Sequence, residues 1–286
     1  MQREEGISVI VCSRNVKKSI FLRKNIEETI GCDYEFISID NSQNNFSIFE
    51  AYNLSSLKSV YPFLVFIHED IIIHSVNWGK TLLDLFKEHS QYGLIGVAGS
   101  REKTKMPSAW WQSNDNVWRI IQHFKYKPKE YWEHGLNGKE LIEVAIIDGV
   151  FMAMRKDSKI NFDERLKGFH NYDLSISLLN RIHDKKIGVT GKILIEHFSE
   201  GNLDQSWYES TSEFHRLYKK SLPVQVENDP SSILELKKKE VTLGLNFINQ
   251  LINRNLTKEA FYWWWQLFKL KPVSKYHFRI LNRLLS

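Results

Sequence analysis

His68-Glu69-Asp70 sets an imidazole and two carboxylates between the apolar runs Phe63–Ile67 and Ile71–Ile73. Carboxylates flanked in this way are partly buried, and a buried charge requires a partner. A divalent cation bridging to a phosphate is one such partner; a turn cap or a nearby Lys or Arg is another. His197 ends the apolar stretch that starts at Ile193, where it is either a ligand or a hydrogen-bonded core residue. Asp148-Gly149 interrupts an apolar segment. Asp173 closes Gly168-Phe-His-Asn-Tyr-Asp173 ahead of a helical pattern. That position also suits a helix N-cap, whose side-chain oxygen accepts from free backbone N–H groups.

The elements that must position these groups read as alternating strands and helices. Strands are expected at 7–12, 34–39, 63–67 and 94–98, and helices at 17–30, 46–58 and 77–89. Such alternation implies right-handed crossovers and an α/β fold with a mostly parallel sheet. Ligands of such sheets bind at the carboxyl ends of the strands. Ser13-Arg14-Asn15, Asp40-Asn41, His68-Glu69-Asp70 and Gly99-Ser100-Arg101 follow the four strands, so polar groups gather at one edge, as a nucleotide site requires.

From Gly99 to Lys139 the periodicity fails. This polar, aromatic stretch holds Pro107 and Pro128 and reads as a long functional loop with short helices. Residues 141–155 read as strand, Asp148-Gly149 break, strand. A helix is expected at 173–183, strands at 186–190 and 193–197, and a helix at 203–220. Residues 223–230 read as a linker, and 233–254, 257–270 and 274–285 as three helices. The expected division is one domain over 1–222 and a helical region over 231–286.

The chain has 286 residues, 42% of them hydrophobic and 26% charged, which excludes disordered and collagen-like classes. No apolar run is long enough to span a membrane. The opening Met-Gln-Arg-Glu-Glu is too acidic, and Ile7–Cys12 too short, for a secretory signal. Two cysteines, Cys12 and Cys32, support neither a disulfide framework nor a four-thiolate zinc site, so a cytoplasmic location is expected. The net charge of +5 is uneven: from Ser231 onward ten Lys/Arg face three Glu. In the same region Phe261-Tyr-Trp-Trp-Trp265 covers every face of a helix. A basic, aromatic tail suits peripheral contact at the inner face of a membrane. It equally suits packing on the main domain or, as a homodimer, on a second copy. No nucleic-acid partner is expected.

The order of these features resembles the GT-A glycosyltransferases and, within that fold, the family 2-type enzymes of the StrF-like group known from streptomycin biosynthesis. The residues that carry the resemblance are Ile7 to Asn15, Ala51-Tyr-Asn53, Phe66 to Ile71, Val97-Ala-Gly-Ser100, Asp148 to Met152, Phe169 to Asp173 and Ile195-Glu-His197. They span residues 7 to about 220 and leave the tail outside.

The resemblance implies a Rossmann-like nucleotide-sugar fold and a role for each matching residue. Asp40 is implied to contact the base or ribose, with Ser13 and Arg14 lining the pocket, Glu69 on ribose or water, and Ser100 on the donor side. Asp70 matches the last acid of a DxD-like motif whose first position here is His68. His197 matches the histidine that completes the metal site, with Mn2+ or Mg2+ as the cofactor. Asp173 matches the catalytic base, and the residue before it is Tyr172 where the family has Glu. Asp148 and Gly149 match the loop beneath the acceptor. Trp110, Trp111, Trp118, Tyr131 and Trp132 offer flat faces to sugar rings or pack their loop onto the sheet, and His170 positions the acceptor or makes a structural hydrogen bond. The implied reaction moves a sugar, with inversion, from a nucleotide-diphosphate donor, UDP-sugars being the commonest, to a saccharide or lipid-linked acceptor in polysaccharide synthesis. Two rivals remain: a non-catalytic nucleotide-sugar or glycan-binding module on the same fold, and a sugar nucleotidyltransferase. The second would carry a Gly-rich phosphate loop after the first strand, where Cys12-Ser13-Arg14-Asn15 has no glycine.

Overall fold

A computed structural model describes residues 5–226 and 230–285. The first four residues, and 227–229 of the expected linker, lie outside the described residues. The chain opens with β1 (Ile7–Ser13), α1 (Val16–Thr29), β2 (Tyr34–Asp40), α2 (Ile48–Lys58), β3 (Phe63–Ile67), β4 (Ile71–Ile73), α3 (Trp78–Glu88), β5 (Tyr92–Gly96) and β6 (Ala98–Ser100). It continues through β7 (Glu102–Lys103), β8 (Asn116–Gln122), β9 (Glu130–His134), β10 (Leu141–Val144), β11 (Ile146–Ile147), β12 (Phe151–Arg155), α4 (Tyr172–Ile182), β13 (Lys186–Thr190) and β14 (Ile195–His197). It closes with α5 (Gln205–Leu217), β15 (Val224–Gln225), α6 (Pro230–Asn253), α7 (Thr257–Leu270) and α8 (Tyr276–Leu285).

Seven strands form the central sheet in the order β10-β13-β5-β12-β3-β1-β2. The β2-β1, β1-β3 and β13-β5 pairs are parallel. β12 enters antiparallel between β3 and β5, and β10 lies antiparallel on β13, so the sheet is mixed. Helices cover both faces. Ile48, Phe49 and Tyr52 of α2 share one core with Leu174, Ile176 and Leu178 of α4. Leu22 and Ile26 of α1 share the other with Trp78, Leu82 and Phe86 of α3. Ile7, Val9, Ile10 and Val11 of β1 are fully buried between them, which is why that strand reads as an unbroken apolar run.

A second sheet runs β11-β6-β8-β14-β4, with β9 paired to β8. The chain passes between the sheets at Val97 and again at His68–Asp70. The expected strand at 94–98 is therefore split. The expected loop at 99–139 is a correction: it contains β6 to β9 and one 3-10 turn at Trp110–Gln112. These strands escape a periodicity test because they are short and because β9, Glu-Tyr-Trp-Glu-His, has no buried residue.

The C-terminal helices pack on the main fold. Trp263, Trp264 and Leu267 of α7 and Phe247, Ile248 and Leu251 of α6 join Met106, Ala109, Trp207 and Tyr208 in one apolar cluster. Trp263 Nε1 donates to Ser212 Oγ of α5 at 2.6 Å. The ion pair of half-buried Lys239 with buried Glu102, at 2.5 Å, fastens α6 to β7. Of the aromatic run, Phe261 and Trp265 stay exposed, at 52% and 44%. Among the described residues no helix is long and apolar enough to cross a membrane.

Candidate active site

The turn between β3 and β4 carries His68, Glu69 and Asp70 out of one sheet and into the other. β14 runs antiparallel to β4 with His197 opposite Ile71, and Phe198 N–H donates to the Asp70 carbonyl at 3.0 Å. That register delivers the imidazole to the turn. His197 Nε2 lies 3.7 Å from Asp70 Oδ1, and His68 Nδ1 lies 4.0 Å from the same oxygen. The two ring nitrogens are 3.4 Å apart. All three ligand atoms fall within 4.8 Å of one another.

Each ring is held from behind. His197 Nδ1–H donates to Gln122 Oε1 at 3.1 Å, which leaves Nε2 as a lone pair facing Asp70. His68 Nε2 lies 2.7 Å from the Tyr172 hydroxyl, which turns Nδ1 toward the cluster. Burial, then the neighbouring His68, depresses the His197 pKa to about 4, so this ring is a neutral donor near pH 7. Burial pushes the Asp70 carboxyl up, but His68, His197, a Ser199 hydrogen bond and Lys18 outweigh it, and the net shift is downward. One carboxylate and two imidazoles form a donor set suited to a divalent transition ion. A second acidic group, Glu88, His89 and Glu140, lies on the surface, where Lys192 already pairs with Glu140.

Beside this cluster a cavity of about 240 Å³ is lined by His68, Trp110, Trp111, Asp148, His170 and Asp173. Asp173 lies in the first turn of α4, after an Asn171 N-cap in the left-handed region that makes no side-chain cap bond. The aspartate is therefore not the cap. Its Oδ2 accepts from Gly149 N–H at 3.1 Å and its Oδ1 from Leu174 N–H at 2.9 Å. Part of Asp173 opens onto the cavity, yet burial, then the Asp148 charge, lifts its pKa to about 7 against those two donors. Gly149 has a second reason to be glycine: a Cβ there would stand 2.2 Å from the Tyr172 hydroxyl oxygen.

Ser13, Arg14 and Asn15 form the loop after β1, and Glu69 holds it. One Glu69 oxygen accepts from Ser13 Oγ at 2.6 Å and from the Arg14 and Asn15 amides at 3.0 Å each. Ser13 is nearly buried by this contact, whereas exposed Arg14 stacks on Phe169 at 4.1 Å, at the cavity rim. Asp40 is exposed at the end of β2, and a backbone hydrogen bond from Ser42 lowers its pKa. Ser100 requires a correction. It is fully buried, and its hydroxyl donates to the Glu102 and Asp115 carbonyls, so it offers nothing to a donor sugar.

Trp110 Nε1 donates to Asp148 Oδ2 at 2.6 Å, so Asp148 orients a cavity wall. Trp111 is 41% exposed at the rim. His170 Nε2 lies 3.1 Å from Ser206 Oγ, and its pKa is lowered by burial. Trp118 and Trp132 pack on each other at 5.7 Å on the β8-β9 hairpin, and Tyr131 bonds Glu133 there, so these three stand outside the cavity. Sequence reasoning did not place His68 with Asp70 and His197, although the signal was present: His68 and Asp70 have the two-residue spacing of the DxD-like pair. Tyr172 showed only as a departure from the family's Glu, and Gln122, which holds His197, carried no signal.

Two sheets, the His68–Asp70–His197 cluster at the strand-crossing turn and a carboxylate-floored cavity beside it define a GT-A glycosyltransferase fold. The chain belongs to the glycosyltransferase-like family, whose model matches residues 8–226. No curated protein matches it. Among solved structures it is similar to the crystal structure of GalNAc-T7 with UDP, GalNAc and Mn2+, at a TM-score of 0.50 and 8% identity. That match covers 75% of this chain and 48% of the other, so the chain spans about half the neighbour's length.

Proposed function

We propose that this protein is a metal-dependent, inverting glycosyltransferase of the StrF-like group, with a catalytic domain over 1–222 and a helical region over 231–286. The observation that carries this reading is the convergence of His68, Asp70 and His197 within 4.8 Å, with His68 shared by the cavity that holds Asp173. The three residues would hold Mn2+ or Mg2+. Two imidazoles favour Mn2+, since Mg2+ prefers all-oxygen shells. A bound divalent ion would neutralise charge growing on the leaving diphosphate. The similar structure that contains UDP, GalNAc and Mn2+ supports a nucleotide-sugar donor, UDP-linked in the first instance.

The chain's own groups do the rest. The Glu69-clamped loop presents Arg14 to the donor, and Asp40 at the end of β2 reaches the base or ribose. Trp110, fixed by Asp148, and Trp111 offer apolar faces to an acceptor sugar, with His170 at its edge. Asp173 accepts the proton from the attacking acceptor hydroxyl. A base with a pKa near the working pH is efficient in this role, typically worth ~10²–10⁴ in rate. Attack from the face opposite the leaving diphosphate inverts the anomeric centre. The acceptor is a saccharide or lipid-linked glycan in polysaccharide synthesis, and the enzyme works in the cytoplasm. Exposed Phe261, Trp265 and Phe278 beside Lys269, Lys271 and Lys275 would touch the inner face of the membrane.

The test is a panel of nucleotide-diphosphate sugars with Mn2+, following donor consumption and the anomeric configuration of the product by NMR. Consumption that is abolished by Asp70→Ala, with an inverted product, supports the proposal. Donor binding without consumption would make the chain a binding module, and a retained configuration would remove Asp173 as base. Flotation with anionic vesicles, lost in Trp265→Ser, tests the membrane contact.

A further inference from the structure

A second cavity, of about 630 Å³, lies where the C-terminal helices meet the main fold. Four lysines from four separate segments line it: Lys105 after β7, Lys219 after α5, Lys237 of α6 and Lys269 of α7. All four are exposed, and none has an ion-pair partner among the described residues. Converging like charges repel one another, so four ammonium groups around one concavity favour an anion there, although Lys269 Nζ also lies over the Trp265 ring at 5.4 Å and Lys105 feels the Glu240 charge. Arg216 adds a fifth positive charge behind the wall, stacked on the lining residue Tyr262 at 4.3 Å. Among the described residues the one acid lining the cavity is Glu240, and its carboxylate accepts from the Lys105 and Met106 amides, the latter at 2.6 Å.

The rest of the lining is apolar. Met106, Leu236 and Trp263 are buried side chains at the floor, and Ile233 and Leu270 are exposed at 39% and 46%. A bare phosphate would satisfy the lysines and leave this apolar surface wet. An alkyl or polyprenyl chain carrying a phosphate satisfies both. Lysine suits the anion as a point charge without imposing bidentate geometry. We propose that this seam is a binding site for a phosphorylated amphiphile, a phosphate or diphosphate ester of an apolar chain. It is separate from the cavity of Asp173. The two share a wall, because the 105–111 segment gives Lys105 and Met106 to one and Trp110 and Trp111 to the other. The inference does not depend on the transfer reading, because binding is measured without turnover.

The experiment is isothermal titration of the full chain with dodecyl phosphate below its micellar concentration, with inorganic phosphate and neutral dodecyl maltoside as separate arms. Dodecyl phosphate is expected to bind at least tenfold more tightly than either control. Lys219→Glu combined with Lys269→Glu should weaken it at least tenfold, while Lys220→Glu, outside the cavity, should not. Leu270→Asn should weaken dodecyl phosphate and leave inorganic phosphate unchanged. An unchanged affinity in the double variant overturns the site. Equal binding of inorganic phosphate or of the neutral detergent overturns the ligand class. Loss of dodecyl phosphate binding in Asp70→Ala would place the ligand in the other cavity and also overturn the proposal.

Discussion

The Tyr172 hydroxyl lies 2.7 Å from His68 Nε2, so the first turn of the helix that presents Asp173 also orients an imidazole of the His68–Asp70–His197 cluster. That cluster and the carboxylate are thereby coupled through one buried phenol. Gly149 completes the coupling, since its N–H binds Asp173 and its missing side chain makes room for Tyr172.

Tyr172→Phe should leave the fold intact, because the ring stays packed against Tyr52 and Phe162. It removes the oxygen that orients His68. Loss of such an outer partner typically lowers metal affinity ~10–100-fold. Titration with Mn2+ reads the effect directly. Unchanged Mn2+ affinity would mean that His68 is not a ligand.

Gly149→Ala should be more damaging than its size suggests. The added carbon would stand 2.2 Å from the Tyr172 oxygen and 2.5 Å from the ring carbon that bears it, and Tyr172 is buried. Overpacking of this kind costs about 1–3 kcal/mol. Thermal unfolding should show a lower Tm, and Mn2+ affinity should fall with it.

Asp173→Asn is expected to abolish transfer while preserving donor binding. It also makes a signed stability prediction. The Asp173 pKa is raised to about 7 in the folded state, above about 3.9 in an unfolded chain. The folded state therefore holds the proton more tightly, and the stability this gives is present below pH 4 and lost as pH rises through 7. Asparagine stays neutral throughout, so the Tm gain of the variant should be larger at pH 8 than at pH 5. In the wild type, kcat/KM should climb with pH and level off above about 7 as the base ionises. A pH-independent difference in Tm between the two proteins would contradict the raised pKa.

Lys239→Met should loosen the C-terminal helices and the cavity wall of Trp110 and Trp111 together. Removing the partner of a buried charge costs about 3 kcal/mol. Glu102, left alone, also holds the Ser113 hydroxyl at 2.8 Å, next to the turn that carries Trp110 and Trp111. The expected outcome is a lower Tm and a raised KM for acceptor, with KM for donor unchanged. Equal change in both KM values would argue for general unfolding.

The linear chain determined a good deal. Three apolar runs, at 7–12, 63–67 and 94–98, and the helices between them announced an α/β sheet, because residues buried on both faces leave an unbroken signature. The polar residues after each run marked the ligand edge, and Asp70, His197 and Asp173 were legible in it as separate points. Only the tertiary structure decided how those points relate. The β14-β4 register brings a histidine 127 positions away to Asp70, and strand pairing of that range leaves no local trace. Ser100 shows the opposite case: a polar residue at the expected edge that turned inward, because the chain changes sheets at Val97 and buries the next three residues. Tyr172 was visible only as a departure from a pattern. Its task of holding His68 comes from two side chains 104 positions apart meeting over a glycine, a fact of packing rather than of sequence.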